Sequence, residues 1–180
     1  MESFVDKARA FALKHHGAQM YGTEPYGVHL QQVADNVELE AMCLGINGKT
    51  KEELLAAAWC HDLIEDTDVT HAQLEEEFGL WVANVVEAVT TVRDEEGGAD
   101  WPATVENMSH PWMWRARIVK QADRLANVER SIQGGERGEA KSAKTLQKYK
   151  AQHASMMAAF PAVEFGPTDI LRQRLCDLLD

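Results

Sequence analysis

The chain has 180 residues, which is enough for one domain with a sizeable core and short for two. Its formal net charge of −11 argues against general binding to nucleic acid or to an anionic membrane, because both of these partners are polyanions. An anionic small substrate would need a local cation to offset this charge, and a bound divalent metal ion supplies one.

Helical periodicity dominates the chain, and the alternating β-branched runs typical of strands are absent. Ser3 is placed to cap a first helix, and Thr50 and Thr70 each open a capping-box pattern. After the first helix, the predicted helices cover, in chain order, Tyr26 to Leu44, Leu54 to Leu63, a short stretch after Thr70, Leu80 to Val92, Pro111 to Ile132, Glu139 to Phe160 and Thr168 to Leu179.

Residues 94–110 differ from the helical remainder. The run from Asp94 to Asp100 is acidic and contains two glycines, and a polar stretch from Pro102 leads to Pro111. This composition predicts a lid or loop, with a disordered surface excursion as the alternative. Because neither an internal repeat nor a linker is visible, we predict one all-α domain, a helical bundle over residues 1–180.

The cysteines and the N-terminus indicate the compartment. Cys43, Cys60 and Cys176 are widely spaced without a CxxC pair, which excludes a disulfide framework and a structural zinc cluster. Charged residues interrupt the first 17 positions, so no signal peptide is predicted there, and no apolar run reaches membrane-spanning length. We therefore expect a cytoplasmic protein with neither a membrane nor a nucleic acid as partner.

The run Cys60-His61-Asp62-Leu63-Ile64-Glu65-Asp66-Thr67 is the most informative local pattern. At about 100° per residue on a helix, its histidine and its three carboxylates fall on one side spanning about 140°. These carboxylates would repel one another without a cation. The pattern predicts a metal centre with an acid/base pair one turn further on, and its alternative is a solvated helix end.

Two distant positions complete a possible ligand set. His29 follows Tyr26 near the start of the second helix, and Asp123 lies on an otherwise apolar helix. Taken singly, His29 could be a hydrogen-bonded structural histidine, and Asp123 could be a salt-bridge partner of Arg124. Together with His61 and Asp62 they offer two imidazoles and two carboxylates, a mixed set that suits Mn²⁺, Fe²⁺, Zn²⁺ or Ni²⁺.

The ordered set His29, His61-Asp62 and Asp123 resembles that of the HD-domain phosphohydrolases. Within that family, Pro25-Tyr26…His29, the run from His61 to Thr67, and Ala122-Asp123-Arg124…Asn127 are similar to the hydrolase domain of RelA/SpoT-type proteins. The likeness extends from about Ala8 to Tyr149. It implies a small, stand-alone alarmone hydrolase that removes the 3′-pyrophosphate from guanosine tetra- or pentaphosphate with Mn²⁺.

The resemblance also implies roles for individual residues. His29, His61, Asp62 and Asp123 would bind the metal, and Glu65 and Asp66 would position or activate the attacking water. Asn127 and Tyr149 would contact the nucleotide. Lys120 and Arg124, which flank Asp123, are either substrate contacts or ordinary surface charges.

One stretch departs from the family pattern. The family usually carries a basic residue after the Gly-Gln step of the first turn, whereas the stretch from Gly17 to Gly22 has none. Tyr21 could stack on a base there but supplies no charge. Two further hypotheses follow: an HD-type enzyme acting on another nucleotide or a phosphomonoester, and a nucleotide-binding module without turnover. The sequence does not predict the oligomeric state.

Overall fold

The computed structural model describes residues 2–136, 140–160 and 169–179, and most of them are α-helical, so the all-α prediction is confirmed. A 3₁₀ turn at Pro111–Met113 leads directly into the longest helix. The α-helices are, in chain order, α1 Phe4–His16, α2 Gly27–Cys43, α3 Gly48–Cys60, α4 Leu63–Asp66, α5 His71–Phe78, α6 Leu80–Val89, α7 Trp101–Glu106, α8 Trp114–Glu136, α9 Ala140–Ala159 and α10 Ile170–Leu179.

The predicted helix caps are partly correct. The Ser3 side chain accepts a hydrogen bond from the Asp6 amide at the start of α1, and Thr70 and Gln73 form a reciprocal capping box on α5. The predicted start at Thr50 is wrong, because α3 begins at Gly48 and Thr50 lies inside it. Gly48 has a φ of 57°, and this left-handed conformation turns the chain into the helix earlier than the capping pattern indicated.

A small hairpin joins α1 to α2, which the sequence did not predict. Strands β1 (Met20–Tyr21) and β2 (Glu24–Pro25) pair antiparallel, and Gly22 at the turn has a φ of 65°. Each strand has two residues, which is too short to produce a recognisable alternation of polar and apolar side chains. The hairpin brings Tyr21 against the ring of His29 on α2.

Helix α8 occupies the centre of the fold and packs against α2, α6, α9 and α10. Its inward face is almost entirely inaccessible to solvent and carries Ile118, Val119, Ala122, Leu125 and Ala126. One turn of this face also presents a charged side chain, since Asp123 lies between these apolar positions. The packing of α8 therefore places a carboxylate in the interior of the bundle.

The segment predicted as a lid or loop contains more structure than its composition indicated. Arg93 and Ala99 form an isolated antiparallel bridge, and α7 follows at Trp101–Glu106. The Asp100 side chain caps α7 by accepting a hydrogen bond from the Ala103 amide. The segment is thus partly helical, because its polar residues satisfy the first turn of a short helix.

Helix ends differ from the predicted ends at two further places. Helix α6 ends at Val89 rather than Val92, and α8 continues to Glu136 through the glycine pair that was expected to end it near Ile132. A glycine inside a helix costs only about 1 kcal/mol. Within the described part of the chain, no helix has both the length and the apolar character that crossing a membrane requires.

Candidate metal centre and active site

Four side chains from three separate parts of the chain converge beside α8. His29 lies in the first turn of α2, His61 and Asp62 lie between α3 and α4, and Asp123 lies within α8. Nε2 of His29 is 3.3 Å from Nε2 of His61, 3.4 Å from Oδ1 of Asp123 and 3.5 Å from Oδ2 of Asp62. Both imidazoles are buried, at 1% and 2% exposure. The structure therefore brings together the four residues that the sequence predicted as metal ligands.

The break between α3 and α4 directs the side chains of His61 and Asp62 toward the same point. The sequence predicted a helix from Leu54 to Leu63 that carries this pair, but α3 ends at Cys60 and α4 starts at Leu63. Asp62 adopts φ −99° and ψ 1°, a bridge conformation outside the helical region. As a result, Oδ2 of Asp62 lies 2.9 Å from Nε2 of His61, and both side chains face the same point.

Neighbouring groups hold the four side chains in place. Nδ1 of His61 lies 2.8 Å from the Ala58 carbonyl oxygen and donates its proton to it, which fixes the ring with Nε2 facing Asp62. The Tyr26 hydroxyl donates to Oδ2 of Asp62 at 2.5 Å. Nδ2 of Asn127 donates to Oδ1 of Asp123, also at 2.5 Å. Such outer contacts fix the orientation of ligands around a metal ion.

The charges in this cluster stabilise one another. Burial by itself lowers the pKa of His61, but the carboxylates of Asp62 and Asp123 outweigh burial and raise that pKa to about 10. The same balance raises the pKa of His29. Burial disfavours ionisation of the two carboxyls, yet the imidazoles lower the pKa of both well below the usual range. Both carboxylates are therefore ionised at neutral pH, as metal ligands must be.

The donor set fits a divalent transition metal. One ligand atom from each of His29, His61 and Asp123 lies within 4.8 Å of the other two, and Asp62 contacts both imidazoles. Two nitrogen and two carboxylate donors in a buried position match the preferences of Mn²⁺, Fe²⁺, Zn²⁺ and Ni²⁺. The site is thus suited to a divalent cation, and its chemistry alone does not distinguish among these metals.

A cavity of about 210 Å³ opens beside the cluster. Glu65 and Asp66 line it together with Asp62 and Asp123. Glu65 accepts hydrogen bonds from the Thr91 amide at 3.0 Å and from Arg93 at 3.1 Å. Oδ2 of Asp66 accepts one from Nε2 of Gln19 at 2.7 Å. Both members of the predicted acid/base pair are therefore held at the cavity wall beside the candidate metal ligands.

The residues predicted to contact substrate fall into two groups. Lys120, Arg124, Asn127 and Tyr149 line the cavity, whereas Tyr21 is not among its lining residues. The ring of Tyr21 packs against that of His29, with the ring centroids 4.7 Å apart, and its hydroxyl donates to Oδ1 of Asn127. Tyr21 therefore contacts a proposed metal ligand and a cavity residue, and its stacking on a nucleotide base stays a prediction.

Several cavity residues were not singled out by sequence reasoning. Tyr26 was quoted only as part of a motif, although its position three residues before His29 was a usable signal. Trp101 lay in a stretch that was interpreted as a loop. Lys148 and Gln152 lie on α9 near Tyr149, where helical spacing was the available clue. The cavity residues absent from the predicted site are Tyr26, Thr91, Ala99, Trp101, Lys148 and Gln152.

Comparison with known proteins defines the class. A family model described as an HD domain matches residues 8–151, and the chain therefore belongs to the HD-domain family. This finding confirms the resemblance that the motifs indicated. A solved structure described as a metazoan ortholog of SpoT that hydrolyses ppGpp covers 99% of this chain and 94% of its own, with a TM-score of 0.73 and 22% identity. At that identity the likeness concerns the fold.

Individual relatives share a common name. The chain is 34% identical over 131 residues to a guanosine-3′,5′-bis(diphosphate) 3′-pyrophosphohydrolase of Aquifex aeolicus (strain VF5), which covers 69% of this chain and 17% of the relative. The similarly named MESH1 proteins of Danio rerio and Drosophila melanogaster are 38% and 31% identical, over 44% and 69% of this chain. The chain spans 17% of the Aquifex relative's length, 43% of the Danio protein and 67% of the Drosophila protein.

Proposed function

We propose that the chain is a metal-dependent phosphohydrolase that removes pyrophosphate from the 3′ position of guanosine 3′,5′-bis(diphosphate). The observation that carries this proposal is the convergence of His29, His61, Asp62 and Asp123 beside a cavity that Glu65 and Asp66 line. The names of the relatives in Aquifex, Danio and Drosophila support the choice of substrate.

The chemistry divides between the cation and the side chains. A bound divalent cation supplies Lewis-acid stabilisation of charge on the phosphoryl oxygens and lowers the pKa of water. Glu65 and Asp66 lie beside the ligand cluster as ionisable groups that can accept a proton from the attacking water. Lys120 and Arg124 add positive charge to the same wall, which offsets part of the charge of the carboxylates there.

We propose Mn²⁺ as the physiological metal, with another divalent transition metal as the alternative. Elemental analysis of protein purified without added metal identifies the ion that the chain retains. Incubation of metal-free protein with guanosine 3′,5′-bis(diphosphate) and each candidate metal should release pyrophosphate, and Mn²⁺ should support the highest rate. No release with any metal would refute the substrate assignment.

A second candidate function has one observation in its favour. The stretch from Gly17 to Gly22 carries no Lys or Arg, so one expected phosphate contact is missing from the first turn. An HD-type phosphohydrolase for a less highly charged nucleotide or a phosphomonoester would need fewer such contacts. A panel of nucleoside mono-, di- and triphosphates assayed beside guanosine 3′,5′-bis(diphosphate) separates the two, since the preferred substrate has the higher kcat/KM.

Three broader expectations accompany this proposal. Residues 1–180 form a single domain, which the continuous cluster of buried hydrophobic side chains among the described residues supports. The protein acts in the cytoplasm, in line with its three free cysteines. Its activity would lower the concentration of the alarmone of the stringent response.

A further inference from the structure

Three basic side chains line the cavity, and Lys120 is already engaged by the protein. Its amine donates a 2.9 Å hydrogen bond to the Val89 carbonyl oxygen and lies 3.6 Å from Oδ2 of Asp123. The residue is 9% exposed. Lys120 thus neutralises a carboxylate of the metal centre and connects α8 to the end of α6, which leaves little of its charge for a ligand.

Arg124 is engaged even more completely. Its guanidinium lies between two aromatic rings, 4.5 Å from the ring centroid of Trp101 and 4.3 Å from that of Tyr149. It also donates to Oε1 of Gln152 at 2.9 Å, and the residue is 3% exposed. Two rings and an amide oxygen therefore engage the guanidinium, and the side chain holds α7 and α9 against α8.

Lys148 is in a different position. It extends from α9 with an exposed side chain, and its amine lies 4.7 Å from the ring centroid of Tyr149 at the cavity mouth. Among the described residues, no hydrogen bond or ion pair engages this amine. Partial burial, and then the neighbouring charge of Arg124, lower the pKa of Lys148. An anion at this point would relieve the repulsion between the two cations.

The carboxylates of the cavity wall would repel an anionic substrate, so binding requires a positive group that the protein does not already engage. Asp62, Glu65, Asp66 and Asp123 line the cavity, so a polyanionic substrate must enter against four carboxylates. A divalent ion bound to the cluster compensates part of this charge. The phosphate groups beyond that ion need a further positive group, and the first turn from Gly17 to Gly22 does not provide one.

We propose that Lys148 is a substrate-binding residue whose amine contacts a phosphate group of the nucleotide at the cavity mouth. This inference rests on the proposed function, since it requires a substrate with phosphate groups. The amine acts as a mobile point charge on a flexible stem, which suits a phosphate that enters and leaves during each turnover. The contact contributes mainly to binding, because the Lys148 amine forms no hydrogen bond or ion pair with the ligand cluster among the described residues.

The kinetic test compares Lys148→Met and Lys148→Arg with Lys150→Met, which removes an exposed lysine two positions further along α9. With guanosine 3′,5′-bis(diphosphate), the Lys148→Met variant should raise KM by about tenfold, the loss expected for one charge-assisted hydrogen bond, while kcat changes little. It should also flatten the dependence of KM on salt concentration. Lys148→Arg should restore KM, and Lys150→Met should match the wild type.

A second measurement separates this inference from the proposed reaction. Calorimetric titration of the wild-type, Mn²⁺-loaded protein with inorganic pyrophosphate reports anion binding without any turnover. Weaker binding by about tenfold in Lys148→Met alone supports the inference even if no nucleotide is hydrolysed. Equal binding by the wild type and Lys148→Met, a matching loss in Lys150→Met, or no binding by the wild type would overturn it. Absence of hydrolysis by the wild type refutes the proposed function separately.

Discussion

The hydroxyl of Tyr26 donates a 2.5 Å hydrogen bond to Oδ2 of Asp62, the same oxygen that lies 2.9 Å from Nε2 of His61. Burial, and then the negative charge of Asp62, raise the pKa of Tyr26 far above its ordinary value, so the hydroxyl keeps its proton and remains a donor. Tyr26 thus fixes which way the Asp62 carboxylate points, although its own oxygen is not one of the proposed ligands.

Tyr26→Phe should therefore weaken metal binding while preserving the fold. The ring of Tyr26 stacks on His16, and phenylalanine keeps this contact. Loss of an outer hydrogen bond to a metal ligand typically lowers affinity by about 10- to 100-fold. Calorimetric titration with Mn²⁺ measures the change, and Tyr149→Phe, whose ring packs on Arg124, is the control. Equal Mn²⁺ affinity in Tyr26→Phe and the wild type would exclude this role.

Substitutions at the metal ligands and at the acid/base pair should have different effects. Asp62→Ala removes a proposed ligand and should abolish both metal content and pyrophosphate release. Glu65→Gln and Asp66→Asn keep the shape of the side chain but remove its basicity, so they should retain the metal and lose about 10²- to 10⁴-fold in rate. Mass-spectrometric metal analysis beside the hydrolysis assay tests this division, and metal loss in all three variants would contradict it.

The sequence indicated which side chains converge at the candidate metal centre because most of its signals are local. His61, Asp62, Glu65 and Asp66 occur within six residues, and the apolar neighbours of Asp123 indicated that its side chain faces inward. Neither observation required knowledge of which helices touch. The predicted continuous helix through His61 was nevertheless wrong, because the bridge conformation of Asp62 leaves no trace in hydrophobic periodicity.

The far wall of the cavity could not be predicted in the same way. Trp101 and Lys148 reach it only because α7 and α9 pack together beside α8, and the rotation of a helix about its own axis is decided by tertiary contacts. Lys148 lies on a largely polar helix where many lysines look alike in sequence. The distinguishing property of Lys148, its closeness to the rings around Arg124, belongs to the folded chain.

Trp101 should hold the segment before α8 against the rest of the domain. Its ring covers Arg124, and its Nε1 donates to Oγ of Ser155 at 3.0 Å. Trp101→Ala removes both contacts, which together contribute about 1 to 2 kcal/mol to local stability. Backbone amides of residues 101–106 should then exchange hydrogen about tenfold faster, as measured by mass spectrometry.

The control for Trp101 is Trp112→Ala, which removes a tryptophan that is 58% exposed and does not line the cavity. It should leave exchange in residues 101–106 unchanged. Unaltered exchange in Trp101→Ala would show that other contacts hold α7, and the cavity wall would then not depend on the Trp101 ring.

Glu40 connects α2 to the start of α10, which lies much later in the sequence. Its side chain is buried at 1% exposure, and Oε2 accepts a 3.1 Å hydrogen bond from the Leu171 amide. Oε1 is also buried and has no hydrogen-bond partner among the described residues. Burial raises the pKa of Glu40 to about 7 from an ordinary value of 4.5.

This raised pKa should make the protein less stable as the pH increases. The folded protein keeps a proton that the unfolded chain releases near its ordinary pKa, so the free energy of unfolding falls as the pH rises from about 4.5 to about 7. Glu40→Gln removes this titration and keeps an acceptor for the Leu171 amide. Between about pH 5 and about pH 8, the variant should therefore lose about 2 to 3 kcal/mol less than the wild type. Urea unfolding at matched pH values measures the difference.

The control is Glu38→Gln, at a half-exposed position on the same helix, and its stability should depend on pH as that of the wild type does. If the stability of Glu40→Gln and of the wild type changed in parallel with pH, Glu40 would titrate as it does in water.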